Sequence, residues 1–442
     1  MRRSRTALIR RLTVRPITTE PNTTGYAWAG STLRRLLGRH QPVAESWPFF
    51  SGPLKPARIT GTASVGGITM EELVRTAPEI LGPRGSDPRN RGQKYFFVKF
   101  LDPSDFPRFA YVGFRPQAVA ALGLSPRAFR AHVARLCWED RRELEVMAEL
   151  VRPRIRTRTA FERFKAAYKA WAIKRATDGW APASSNALEA FGAAVRQTLY
   201  RQCAIRRVLI GLMHRMDYRP NQTILIETPT LHAIAGLSLQ IHPKAPGNFH
   251  PKDELWMYTK VPLPGGRKGW ILVEPQRTFD KTESCADFFT PFVWDTARAR
   301  LTFRKAIDRA FLQRFVTLMD AAPHPRRHYL RLARPASPRS ATRRGRVRWY
   351  RLIEEPGWPH FAVWELRFDG AGIASRPLPR RCFVELHATA GRITATLSGG
   401  SGRVQTVRVS PRCPVFLPAS LPHAAITFRA AGPARLFWFT RL

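Results

Sequence analysis

Short runs of aromatic and β-branched residues, broken by Pro, Gly and Asn clusters, account for most of the apolar positions in this chain. That pattern belongs to strands. The first 60 residues carry little periodicity. Strand signals begin at KYFFVKFLDP (94–103) and FAYVGF (109–114). From about 116 the period changes to that of a helix. Ser125-Pro126 offers an N-cap and an N1 proline to a long segment ending near Val151. Thr159 and Glu162 read as a capping box, with Phe161, Phe164, Tyr168 and Trp171 at helical spacing behind them. Leu188, Phe191, Val195 and Leu199 repeat the spacing. Such aromatic stripes are core packing, and they predict a helical subdomain over 116–215.

Strands resume after Asn221 with TILIE, LSLQIH, ELWMYTKV and WILVEP. Residues 296–320 read as a helix with Phe303, Ile307, Phe311 and Phe315 on one face. The Arg-rich, Pro-punctuated run 326–350 reads as a solvated linker. The last hundred residues return to strands: HFAVWELRF, CFVELHATAG, RITATLSG, VQTVRV, CPVFLPA and AAITF. Short strands with turns every 8–12 residues argue a sandwich or barrel. The expected class is therefore mainly β with α. The expected order is an N-terminal segment (1–115) giving strands to a first barrel, the helical subdomain (116–215), the second half of that barrel (216–325), the linker, and a C-terminal barrel (351–442).

Composition narrows this picture. The 442 residues imply two or three domains, and 44% hydrophobic content supports real cores. No apolar run approaches the ~18–20 residues of a membrane span, and the basic N-terminus lacks a secretory pattern, so a cytoplasmic location is expected. Five scattered cysteines without a CxxC pair predict neither a disulfide framework nor a thiolate metal site. The net charge of +41 is spread along the whole chain. Without a nucleic-acid motif it implies nonspecific polyanion binding at most, and suits anionic substrates equally.

The residues able to carry chemistry lie between Ile226 and Glu254. His232 follows a Pro-containing turn, TPTLH, and Gln240 and His242 stand two apart in QIH. On a strand, i and i+2 share a face. Glu254 opens the next strand, twelve residues after His242. Two imidazoles, an amide oxygen and a carboxylate form a credible site for one divalent metal, zinc above all. His214 and His250 have no paired donor at this level. VELHATAG and FLPASLPHAA repeat part of the grammar around His387 and His423, and this poorer copy reads as structural.

The strand–Pro–turn–His unit resembles the second cupin motif, and QxH followed by Glu resembles the metal-binding part of type I phosphomannose isomerases. KYFFVKFLDPSD is similar to the strand leading into the barrel of those enzymes, and FLPASLPHAA to their C-terminal cupin. The resemblance covers roughly 90–442 and is densest at 220–295. The order departs from the family, in which QxH follows the KFLD-like strand directly; here FAYVGF does. The resemblance implies two cupin-type jelly-roll barrels with the helical subdomain inserted in the first. It also implies a metal-dependent aldose–ketose isomerase acting on mannose 6-phosphate or a similar sugar phosphate. Arg277 and Lys281, beyond the LVEP strand, are then candidates to hold the phosphate, with Arg277 also placed at the reacting centre, and Glu274 or Glu283 is a candidate base. A non-catalytic sugar-binding cupin and a basic nucleic-acid-associated protein are the alternatives.

Overall fold

The structure, a computed structural model, describes residues 2–441 apart from 21, 26–28, 51–55, 86–97, 228, 242–253, 276–282, 288–290, 304–316, 318, 333, 336–341, 354–360 and 400–403. It is mainly β with a helical layer. Among the described residues, three sheets of seven, five and ten strands form its frame.

The seven- and five-stranded sheets face each other. Leu101, Ile224, Trp256, Trp270 and Leu272 from the first meet Ala110, Val112 and Met216 from the second in one buried cluster. Period-2 alternation decides what each face carries. Along Glu254–Pro262, residues Trp256 and Tyr258 join this interior, whereas Leu255 and Met257 pack outward. Lys268–Pro275 alternates in the same way, Leu272 inward and Val273 outward.

The helical layer covers the back of the five-stranded sheet. It consists of Pro126–Val151, Arg158–Thr177, Val195–Gly211 and shorter pieces. Phe129, Phe164 and Tyr168 pack with Phe109, Tyr111, Leu239 and Ile241 from that sheet. Ser125 caps its helix, Oγ accepting from Ala128 N at 3.3 Å. The next cap is Thr157 rather than the expected Thr159: its Oγ1 accepts from Ala160 N at 3.1 Å, and the helix starts at Arg158. Thr159 and Glu162 have the capping-box spacing but lie inside the helix, and Thr157 caps it through its hydroxyl alone. No helix among the described residues is long and apolar enough to cross a membrane.

One tie reaches from this layer to the hairpin of His232–Ile234 and Ser238–Ile241. The buried Arg206 guanidinium forms a bidentate pair with Asp140, at 2.9 and 2.6 Å. The same group donates to the carbonyls of Gly236 and Leu237, both at 2.9 Å. Ala235 (φ 51°) and Gly236 (φ 70°) hold the left-handed backbone of that turn, so a neighbouring helix secures the geometry of the hairpin.

Two expectations about elements are corrected. Residues 292–303 form a hairpin, Phe292–Asp295 with Arg300–Phe303, where a helix was expected from 296. Asp295 Oδ1 accepts from the amides of Ala297 and Arg298 at 3.0 and 3.1 Å, which makes a turn of the TAR segment. Ile307, Phe311 and Phe315 lie outside the described residues. The basic run is likewise no free connector. Leu330–Leu332 pairs with Gln222–Ile226, and Thr342–Ile353 is a strand of the ten-stranded sheet. Its residues alternate, Val347 and Trp349 buried while Arg344, Arg346 and Arg348 point to solvent, so the arginines concealed a period of two.

The ten-stranded sheet curls around Trp349, Trp364, Leu386, Ile426 and Trp438. Its outer face packs against the seven-stranded sheet: Val363, Phe437 and Phe439 share a cluster with Leu225, Leu255, Ile271 and Val273. Ile17–Thr18 adds a strand beside Val415–Leu417. His387 lies on the outer face, its ring 5.3 Å from Phe100 and 5.5 Å from Phe49. His423 is also buried, and neither ring nitrogen has a hydrogen-bond partner.

Glu385 and His387 make a buried pair, Oε2 to Nε2 2.7 Å. Burial pushes the Glu385 carboxyl well up and pulls the His387 imidazole down to about 3, so the pair is neutral. A carboxyl with a raised folded-state pKa gives stability that is full below its unfolded value and lost as pH rises. Glu385→Gln keeps the neutral shape without that titration, and the His387 contribution cancels between the two proteins. The variant is therefore expected to gain in melting temperature over the parent as pH goes from 4 to 8. A pH-independent difference in a calorimetric series would contradict the neutral pair.

Candidate active site

His232 opens its strand on the inner face of the five-stranded sheet. It stands in register opposite Val112 on one side and Gln240 on the other. Register partners share a face, so His232 and Gln240 both face the interior. The imidazole is 1% exposed. Its Nδ1–H donates to the Thr230 carbonyl at 2.9 Å, so in the neutral ring Nε2 carries the lone pair. That lone pair looks across the sandwich at Glu254 Oε1, 3.6 Å away on the opposing sheet. Trp256 braces both groups. Its indole N–H donates to Glu254 Oε1 at 3.0 Å, and its ring meets His232 edge-on at 5.4 Å.

Beside them lies a second buried group. Register places Glu274 next to Lys99, with Nζ 2.8 Å from the Glu274 carboxylate and 4.0 Å from Glu45. Burial pulls the Lys99 ammonium down, but Glu274, Glu45 and Glu254 together outweigh it and hold the ammonium charged, well above its ordinary range. Tyr218, also buried, is pushed well up by burial and by the Glu274 charge. His214 sits on the inner face beyond Val112, where Nε2 donates to the His324 carbonyl at 2.7 Å. Burial lowers it first of all, so it is neutral and structural.

Of the metal donors read from the sequence, the fold thus brings His232, Gln240 and Glu254 to one end of the sandwich. His242, Arg277 and Lys281 lie outside the described residues. Gln240 is half-buried and donates to Ser238 Oγ at 3.4 Å. Glu274 is buried in the interior. Glu283 begins a strand whose backbone pairs with Ile241. Among the described residues no three His, Cys, Asp or Glu are grouped as a metal site, and the set under consideration draws on the amide of Gln240. Lys99 and Glu45 were missed. The available signal was a single charge inside an apolar strand, FVKFL and VAES.

Lone pairs on a buried imidazole nitrogen and a buried carboxylate oxygen that face each other repel unless a proton or a cation lies between them. A separation of 3.6 Å is long for a hydrogen bond and close to the ligand–ligand edge of a tetrahedral site with bonds of about 2.0–2.1 Å. A metal-bound imidazole also characteristically donates its other N–H to a carbonyl, as His232 does to Thr230. The residues present therefore fit a divalent metal.

No family model matches the chain, and no curated protein matches it. Solved structures do. The chain is similar in fold to phosphomannose isomerases. For a point mutant of the enzyme from Salmonella typhimurium the TM-score is 0.48 at 16% identity, over 96% of this chain and 99% of that one. For a mannose 6-phosphate isomerase bound with zinc and yttrium the TM-score is 0.47 at 15% identity, again over 96% and 99%. At these values the likeness bears on the course of the chain and not on its chemistry.

Proposed function

We propose that the chain is a metal-dependent aldose–ketose isomerase acting on a sugar phosphate, and that it interconverts mannose 6-phosphate and fructose 6-phosphate. The observation that carries this reading is the approach of His232 Nε2 to Glu254 Oε1 inside a sandwich that also holds a charged Lys99–Glu274 pair. The choice of sugar follows the resemblance of TPTLHA, QIH and VEPQR to the isomerase motifs.

His232, Gln240 and Glu254 would hold the metal, with His242 of the QIH unit as the further donor. When bound it would supply Lewis-acid stabilisation of the charge that develops on the sugar oxygens. The chain's own residues do the rest. Trp256 fixes the Glu254 carboxylate and walls the site from water. The Glu274 carboxylate takes the proton from C2 of the open-chain sugar and returns it to C1. Lys99, 2.8 Å away, aims that carboxylate. Arg277 and Lys281 follow the Glu274 strand directly and hold the phosphate.

Metal content and turnover of mannose 6-phosphate, measured on the same preparation, test this. The expected result is one metal per chain and formation of fructose 6-phosphate. His232→Ala should lose at least about ten- to a hundredfold in metal affinity, the scale of even an outer-shell loss, and the activity with it. Stoichiometric metal without turnover would favour a sugar-binding protein, and a metal-free parent would overturn the reading.

A further inference from the structure

One half of the ten-stranded sheet turns its outer face to solvent, and strand register draws two rows across it. Arg344, Ile373, Arg429, Thr394 and Arg408 are successive partners over five strands. Ser375, Thr427, Thr396 and Thr406 make the next row on four of those strands. Between the rows stand Ala374, Phe428 and Ala395, which are buried in the interior of the sheet. Alternation therefore points both rows outward. Arg344, Arg408 and Arg429 are exposed, and none has a carboxylate partner among the described residues.

The spacing of the charges is regular. Strands lie about 4.8 Å apart, so arginines on every second strand have backbones roughly 10 Å from one another. That is about one Debye length at physiological salt, and the charges reinforce each other. Arg346 and Arg348 are also exposed and extend the patch along the first strand, where Arg348 is paired with Asp369 at 2.5 Å. The sequence offers little to neutralise such a patch. From 342 to 442 it has sixteen arginines and five acidic residues. Of the five, Glu365 pairs with Arg367, Asp369 with Arg348, and Glu385 is buried against His387.

We propose that this face docks the phosphate backbone of a duplex nucleic acid without reading its sequence. Phosphate oxygens are held by arginine and by Ser and Thr hydroxyls, the side chains that the two rows present. Arginine grips them bidentately. Ser375 and Thr427 share one hydrogen bond of 2.8 Å, which leaves one O–H of the pair to donate. Single strands are bound through aromatic platforms on which bases stack, and neither row holds an aromatic residue. Base edges are read by an element that enters a groove, whereas an open sheet face meets the backbone. The inference is independent of the isomerase reading.

The probe is a labelled duplex DNA of arbitrary sequence, titrated with the full-length protein between about 50 and 200 mM salt and followed by fluorescence anisotropy. For the parent, the logarithm of the affinity should fall linearly with the logarithm of the salt concentration. Arg344→Gln with Arg408→Gln and Arg429→Gln should make that slope shallower by about 0.9 for each lost phosphate contact, roughly 2–3 in all. The melting temperature should stay close to the parent's, because all three side chains are exposed. Lysine at the same three positions keeps the charges and should restore the slope. The control is Arg152→Gln with Arg154→Gln and Arg158→Gln, three exposed arginines packed closer in sequence beside the helical layer, which should change the slope by less than about one contact's worth. An unchanged slope in the sheet-face triple, or an equal change in the control, would overturn the proposal. So would tighter binding of the parent to a single strand of the same length. If the triple lost affinity for heparin and kept it for the duplex, the face would belong to an acidic polysaccharide and the proposal would fail. None of these outcomes bears on whether His232 and Glu254 hold a metal.

Discussion

Replacing Glu274 with Gln is expected to lower kcat by about 10²–10⁴-fold, the range that a positioned base contributes, with little change in KM or bound metal. The substitution keeps the shape of a side chain that is 1% exposed and 2.8 Å from Lys99. The amide oxygen can still accept from the ammonium, while Glu45 at 4.0 Å retains a compensating charge. What disappears is the basic oxygen. Transfer of solvent deuterium into the sugar should fall in parallel with turnover, because the same carboxylate would handle the proton in both. A Gln variant within threefold of the parent would assign the proton to another group. Lys99→Met is a different experiment. It strands Glu274 and Glu45 without their cation and is expected to cost about 3–5 kcal/mol of stability, as removal of one partner from a buried pair does.

The second large effect concerns Arg206. Arg206→Met leaves Asp140, which is fully buried, without its bidentate partner and the Gly236 and Leu237 carbonyls without their donor. About 3–5 kcal/mol should be lost in urea unfolding. The position of the residue adds a consequence that burial alone would not. The turn it holds joins the strand of His232 to the strand of Gln240, so the surviving folded protein should also bind metal more weakly. Pairing Arg206→Met with Asp140→Leu removes the stranded charge and should recover part of the stability, yet not the metal affinity, since the carbonyls still lack a donor. Recovery of both together would show that the guanidinium acts on Asp140 alone.

Much of this fold is legible in the sequence, for identifiable reasons. Ser125-Pro126 and the Phe161, Phe164, Tyr168, Trp171 stripe mark the helical layer because caps and apolar period act within a few residues of themselves. The strand Thr342–Ile353 was hidden because Arg344, Arg346 and Arg348 made a charged run of what is an alternating strand. The hairpin at 292–303 was hidden because Phe303 fits either period over so short a stretch. In the site, His232 is legible from its strand–turn context. Lys99 and Glu45 are not. A charge inside an apolar strand can face either way, and only pairing across some 175 residues sets Lys99 beside Glu274.

That same distance between partners governs how the molecule can assemble. Phe109–Phe114 and Met213–Asp217 are adjacent, paired strands, although about a hundred residues lie between them. Closing a loop of that length from an unstructured chain costs about 4 kcal/mol of entropy on a (3/2)RT ln n scale. The helices of 116–211 need no distant partner to begin forming. Once packed, they bring the ends of the intervening segment together, so the expected order is helices first and sheet closure afterwards. Refolding should then show two phases, early helical circular dichroism followed by a slower step in which the interior tryptophans Trp256 and Trp270 leave water.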